Sequence, residues 1–189
     1  GIRELGDRAT GEVTVAAVPT ATYYFLPKVI EAFGAQYPRI RIRILDLSAN
    51  DVLEAVKRGQ AEFGINLLGA QEADLDFEPL LRDPFLFMCR NDHPLAEAEQ
   101  VSWAEIAPYR FITVGRLSGN RIILDAALAD LKVRPRWFYE VQHLSTSLGL
   151  VEAGLGVAAV PRLAAPPGHH PVLVVRPLVE PTVTRIMGI

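Results

Sequence analysis

Residues 12–38 constrain the fold more than any other stretch. Val13, Val15 and Ala17 alternate with Thr14 and Ala16, a period of two that predicts a buried strand. The polar break Val18-Pro19-Thr20-Ala21-Thr22 follows, and Pro19, which has no N–H to give a ladder, closes the strand. Leu26, Val29, Ile30 and Phe33 then recur at helical spacing, which predicts a helix over 23–36 with one buried face. Thr20 or Thr22 stands where its hydroxyl caps that helix. Tyr37-Pro38 ends it, because the residue before proline avoids the helical region. A strand, a hydroxyl-rich turn and an open helix N-terminus make either an ordinary capped helix or a place where free N–H groups and the helix dipole favour an anion.

The alternation continues. Ile40, Ile42 and Ile44 share one face of a strand over 39–47, and Arg39, Arg41 and Arg43 share the other. An arginine face of this kind is solvated or guards a sheet edge. Ser48-Ala49-Asn50-Asp51 is a second capped helix start, with Val52, Leu53 and Val56 apolar and Gly59 as its stop. Residues 63–68 read as a third strand, ending at Gly69. Strands alternating with helices predict a parallel sheet with helices on its faces. Ligands bind such sheets beyond the carboxyl ends of the strands. Thr20 and Ser48 stand at two of those ends and are expected at one cleft.

The second half repeats the pattern. Two short strands, 77–81 and 84–90, are expected on either side of Arg82-Asp83-Pro84. His93 falls in the turn 91–94. Ser102 followed by Glu105 has capping-box spacing. A strand over 111–114, a loop over 115–120, a helix over 121–131 and a strand over 136–141 come next. Ser145-Thr146 is a third hydroxyl-capped helix start, and that helix ends at Gly154. Strands follow over 155–160, 172–175 and 184–189.

With 189 residues, half of them hydrophobic, the chain is able to bury a sizeable core as one domain or two small lobes. A net charge of −3 without a basic block argues against a nucleic-acid surface in these residues. The single Cys89 lies in an apolar run, reads as a small buried hydrophobe, and fits a reducing, cytoplasmic setting. No signal-peptide pattern is visible, and no apolar run reaches the roughly 18 residues of a membrane span, so no membrane association is expected. His169 and His170 share a loop without further ligating residues nearby, and no metal or cofactor is expected. No phosphate loop or nucleophile triad argues for catalysis; the nearest titratable pair is Glu140 and His143.

Four stretches, in order, carry a family likeness. They are Gly11-Glu-Val-Thr-Val-Ala-Ala-Val-Pro19 with Leu26-Pro27, Phe33 and Tyr37-Pro38; Leu53-Glu-Ala-Val-Lys-Arg-Gly59 with Glu62-Phe-Gly-Ile65; Asp92-His-Pro-Leu-Ala96; and Leu150-Val-Glu-Ala-Gly-Leu-Gly-Val-Ala-Ala-Val-Pro161. On these the chain resembles the effector-binding (regulatory) domain of LysR-type transcriptional regulators. Glu62-Phe63 departs from the aspartate common in that family.

The resemblance implies an α/β fold of the type 2 periplasmic-binding-protein kind. Two Rossmann-like lobes, 1–84 and 85–189, would flank a ligand cleft, with crossing segments near 81–85 and 176–184. It implies that DNA is contacted only through an N-terminal winged helix-turn-helix outside these residues, and that the usual closing C-terminal helix has no counterpart here. The implied cleft lining is Thr20, Ala21 and Thr22 at the first helix start, and Ser48, Ala49 and Asn50 at the second. Val114, Gly115 and Arg116 follow from the second lobe's loop, and Gln142, His143 and Ser145 from the start of its last helix. The implied effector is a small carboxylate or aromatic acid; Arg116 is either its bidentate partner or a solvated loop arginine. His143 is either a neutral wall residue or a pH-sensitive contact. The family pattern also implies a homodimer or homotetramer through the 23–36 helix, the 39–47 strand and the 121–131 helix, and no catalytic residue. A stand-alone solute-binding protein of a transporter shares the fold and is the alternative.

Overall fold

The computed structural model describes residues 9–67 and 74–189. Its elements run β1 (Gly11–Ala17), α1 (Pro19–Tyr24), α2 (Leu26–Gln36), β2 (Ile40–Asp46), α3 (Ala49–Lys57), β3 (Phe63–Leu67) and β4 (Pro79–Arg90). They continue with β5 (Val101–Ser102), α4 (Trp103–Ile106), β6 (Phe111–Val114), α5 (Gly119–Leu128), β7 (Trp137–Val141), α6 (Leu144–Glu152), β8 (Val157–Pro161), a 3-10 turn (Arg162–Ala164), β9 (Leu173–Val179) and β10 (Thr184–Gly188). The chain divides into two compact units, Gly1–Leu81 with Ile186–Ile189, and Arg82–Arg185. It therefore returns to the first unit after Arg185, just past the 176–184 segment expected for the return.

In the first unit β1 lies between β2 and β3 and runs parallel to both, as the strand–helix alternation predicts. The end of β10 joins β3 antiparallel, with Met187 opposite Leu67 and Gly188 opposite Asn66. Leu68 and Gly69, the expected end of the third strand, lie outside the described residues. Thr14 to Val18 are buried without a break, because β1 is central and covered on both faces. Gly64 on β3 has a packing reason. A methyl there would sit 2.7 Å from Cγ1 of Val52, so α3 approaches β3 more closely than an alanine allows.

The first helix differs from expectation. Helical structure begins at Pro19, which occupies an early helical position where its fixed φ is already suitable and its missing N–H costs nothing. Val18, extended, is the N-cap and makes no side-chain cap bond. Neither Thr20 nor Thr22 caps the helix, since both already lie inside it. The helix breaks at Phe25 and resumes as α2. Of the expected buried face only Leu26 is buried, and Val29 is 45% exposed. Ser48, by contrast, caps α3 as read, its hydroxyl accepting from the Asp51 N–H.

In the second unit β4 pairs antiparallel with β8 and β9, and β6 runs parallel to β7 and β8. β5 extends the sheet on β9. Residues alternate between faces with the strand period of two. Phe85, Phe87 and Cys89 of β4 join Phe111, Val157 and Ala159 on one face, against Trp103 and Ile106 of α4 and Leu124 and Leu128 of α5. Met88, Ile112, Val114, Ala158 and Val160 occupy the other face with Val151 of α6. Each fully buried side chain of this size contributes about 1.5–3 kcal/mol.

The two short strands expected around Pro84 are one strand of 12 residues. The ladder resumes at once after the proline, where the Phe85 N–H donates to the Val183 carbonyl at 2.9 Å. α5 starts and ends earlier than the 121–131 span expected. Ser145 and Thr146 do not cap α6, whose N-cap is the extended His143. The Ser102–Glu105 capping box forms in both directions. Among the described residues no helix is long and apolar enough to cross a membrane.

Candidate ligand-binding site

In the first unit three parallel strands end side by side, and their ends are tied together. The Leu47 N–H donates to the Ala17 carbonyl at 3.0 Å, and the Val18 N–H to the Ile65 carbonyl at 3.2 Å. Thr20 and Ala21 are buried. The Thr22 hydroxyl lies 2.8 Å from the Pro19 carbonyl and 3.0 Å from Asp46 Oδ1. One hydroxyl proton serves both acceptors, so the oxygen keeps lone pairs for an incoming donor. The Ser48 hydroxyl is 3.4 Å from the Asp51 nitrogen, a long bond on an exposed residue. Ala49 is half-buried and Asn50 exposed.

Asn66, at the end of β3, completes the group. Its Nδ2 donates to the Ala49 carbonyl at 2.9 Å, and its Oδ1 accepts from the Leu67 N–H at 2.8 Å. It thereby fixes the start of α3 against the third strand. Sequence reasoning missed both Asn66 and Asp46. A polar residue closing an apolar strand was the only signal for each.

In the second unit β6 and β7 end next to each other. Val114 is buried, and the Gln142 side chain lies against Gly115 so closely that a Cβ there would be 3.2 Å from Oε1. Arg116, His143 and Ser145 are exposed. The basic residue built into this strand end is Arg121. Its Nη1 donates to the Val114 carbonyl at 3.1 Å, and its Nε lies 3.0 and 2.9 Å from the two oxygens of Asp125. Glu140 is also 3.5 Å from Arg121 and is engaged there. The visible signal for Arg121 was its spacing of four from Asp125. The structure thus gathers Thr20, Ala21, Thr22, Ser48 and Ala49 in one unit, and Val114, Gly115 and Gln142 in the other.

A cavity of about 440 Å³ lies at the opposite strand ends of the second unit, lined by Arg90, His93, Tyr109, Arg110 and Gly154. Its cations are occupied. Arg90 pairs with Asp92 at 3.1 Å and donates to the Glu152 carbonyl, and Arg110 lies 4.2 Å over the Phe138 ring. His93 is wedged against Tyr109, and burial holds it below the ordinary histidine value. Cys89 is fully buried, and burial pushes its thiol up to about 11, so it is no nucleophile at neutral pH. His170 Nδ1 accepts from the Val172 and Leu173 N–H groups at 3.1 and 2.9 Å. Among the described residues no group of three metal-capable side chains forms.

The family model described as the LysR substrate binding domain matches residues 6–189. The chain belongs to that family. An uncharacterized HTH-type transcriptional regulator of Escherichia coli (strain K12), YbhD, is 46% identical over 188 residues, covering 100% of this chain and 59% of the relative. The chain therefore spans about three-fifths of that relative's length. Among solved structures, the Synechocystis PCC6803 CcmR regulatory domain in complex with 2-PG has a TM-score of 0.84 at 21% identity, covering 95% of this chain and 86% of that one. The effector-binding domain of QuiR in complex with shikimate has a TM-score of 0.82 at 20% identity, with the same coverage of 95% and 86%. The LysR domain fold, periplasmic-binding-protein-like and built from α/β units, is thus the fold of this chain. Its relatives are regulators, a family that is not enzymatic.

Proposed function

We propose that this LysR-type domain senses a small acidic metabolite on behalf of a transcriptional regulator. The effector binds at the carboxyl ends of the strands, in the ligand cleft that the resemblance to the family implies. Thr20, Ala21, Thr22, Ser48, Ala49 and Asn50 line one wall, and Val114, Gly115, Arg116, Gln142, His143 and Ser145 the other. The observation that carries this reading is the grouping of hydroxyl, amide and helix-start N–H groups at the carboxyl ends of parallel strands in each unit, where such sheets bind ligands. The start of α3 favours a carboxylate through its free N–H groups. Asp46, an acceptor beside Thr22, matches a ligand hydroxyl. A hydroxylated carboxylic acid satisfies both, and the shikimate bound to QuiR is of that class.

Binding shifts the population of lobe arrangements, and that shift reaches a DNA-binding domain outside this chain. The regulator works in the cytoplasm as a homodimer or homotetramer. The exposed apolar face of α2, the edge strand β2 and α5 supply the contacts between copies. Val29 on α2, Ile44 on β2 and Ile122 on α5 are exposed there, which supports the use of all three as contact surfaces.

The test is a thermal-shift screen of the chain against shikimate, 2-PG, aromatic acids and amino acids, followed by calorimetry on any hit. A ligand at a hundred times its Kd stabilises the native state by about 2.7 kcal/mol. Thr20→Val and Ser48→Ala are each expected to weaken binding about tenfold with folding intact, the loss of one hydrogen bond to a charged group. Unchanged affinity in both variants moves the site elsewhere.

A further inference from the structure

Arg185 is 1% exposed and Asp83 is 2% exposed. They are 102 residues apart, yet each stands beside a point where the chain passes from one unit to the other. Asp83 comes just after Leu81 leaves the first unit, and Arg185 is the last residue before Ile186 rejoins it. Arg185 Nε donates to Asp83 Oδ2 at 2.7 Å, and Nη2 lies 2.7 Å from the same oxygen. Arg185 Nη1 donates to Asn120 Oδ1 at 3.0 Å. Asp83 Oδ1 accepts from the Leu163 N–H at 2.9 Å. Asn120 is the second residue of α5, directly after the loop that holds Gly115 and Arg116.

Stability alone does not account for this cluster. Removing two charges from water costs several kcal/mol per ion, and apolar replacements of buried ion pairs are often as stable or more so. A guanidinium adds direction. Its planar fork fixes the positions of the groups it binds, where apolar contacts tolerate sliding. Its two partners here, Asp83 and Asn120, lie on β4 and in the first turn of α5, and Arg185 itself lies on β10.

We propose that the Asp83–Arg185–Asn120 cluster holds both crossing segments in register with the first turn of α5, so that a movement of the 115–118 loop reaches the two crossings together. Asp83 and Asn120 are positioning residues in this scheme and touch no ligand. The proposal needs no effector, so failure of the ligand screen leaves it standing, and its own failure leaves the ligand site untouched.

Hydrogen exchange read by mass spectrometry on the 189-residue chain tests it. Asn120→Ala keeps the Asp83–Arg185 pair and removes only the link to α5. Exchange is expected to rise severalfold in peptides covering 82–87 and 183–187 as well as 115–122, while 157–160 stays unchanged. A merely structural role would loosen the whole second unit by one common factor. Asp83→Asn/Arg185→Met removes both charges and keeps an acceptor for the Leu163 N–H. This variant is expected to keep its urea midpoint near that of the parent and to exchange faster at both crossings. Adding Asn120→Ala to it should change the crossings no further, because the link is already cut. Exchange confined to the 115–122 peptide in Asn120→Ala, a uniform rise across the unit, or full additivity in the triple variant each overturns the proposal.

Discussion

In the second unit Phe85, Phe87, Trp103 and Ile106 fill one face of the sheet, and none is more than 1% exposed. Along β1 in the first unit the fully buried positions are Ala16 and Ala17. The second unit holds itself together with volume: large side chains on both faces, sealed by a capping box and by the Trp103 N–H on the Pro181 carbonyl at 3.0 Å. The first relies on close approach, with small residues and Gly64 letting helices lie directly on the strands. Both units leave large apolar side chains in solvent, Val29 and Ile44 in the first and Ile122, Trp137 and Phe138 in the second. The less bulky core is the one whose strand ends carry Thr20, Thr22 and Ser48.

Four substitutions, one of them paired with another, break or sharpen that contrast. Trp103→Ala should cost about 3–5 kcal/mol in urea unfolding, because a large side chain is lost and its cavity does not fully collapse. A loss below about 1 kcal/mol would mean the second core is less tightly filled than its burial indicates. Gly64→Ala works in the opposite sense, by adding atoms. It should cost about 1–3 kcal/mol, and Val52→Ala in the same chain should recover part of that loss rather than add its own in full. Strict additivity would show that the α3–β3 contact has slack. Val29→Ser should change unfolding by no more than about 0.5 kcal/mol, as an exposed position does. It should nonetheless weaken self-association in sedimentation velocity. A drop of about 2 kcal/mol in unfolding would place that face inside a core and end the contrast.

Much of this was legible in the chain itself. The period-two and helical patterns located nearly every strand and helix, and Ser48 and Ser102 marked two helix starts by their caps. Two of the misses share one cause. Pro19 and Pro84 were read as breaks, since a proline stops what precedes it, but one opens α1 and the other lies within β4. Which outcome a proline gives depends on whether its missing N–H would have been needed, and that is set by neighbours distant in sequence. The places of Thr20 and Ser48 beside strand ends were legible, because each follows directly on a strand. The tying roles of Asn66 and Arg121 were not, because their partners are the Ala49 and Val114 carbonyls.

What the sequence determined by itself is the local alternation of strand and helix, the parallel pairing that follows from it, and the polar turns at the strand ends. Only the tertiary structure decided which hydroxyls cap and which face outward, how far β4 runs, and that Asp83 meets Arg185 and Asn120. Local structure comes from interactions within a few residues, which leave a period in the chain. The Asp83–Arg185 pair joins residues 102 positions apart, and a contact of that kind leaves no period to read.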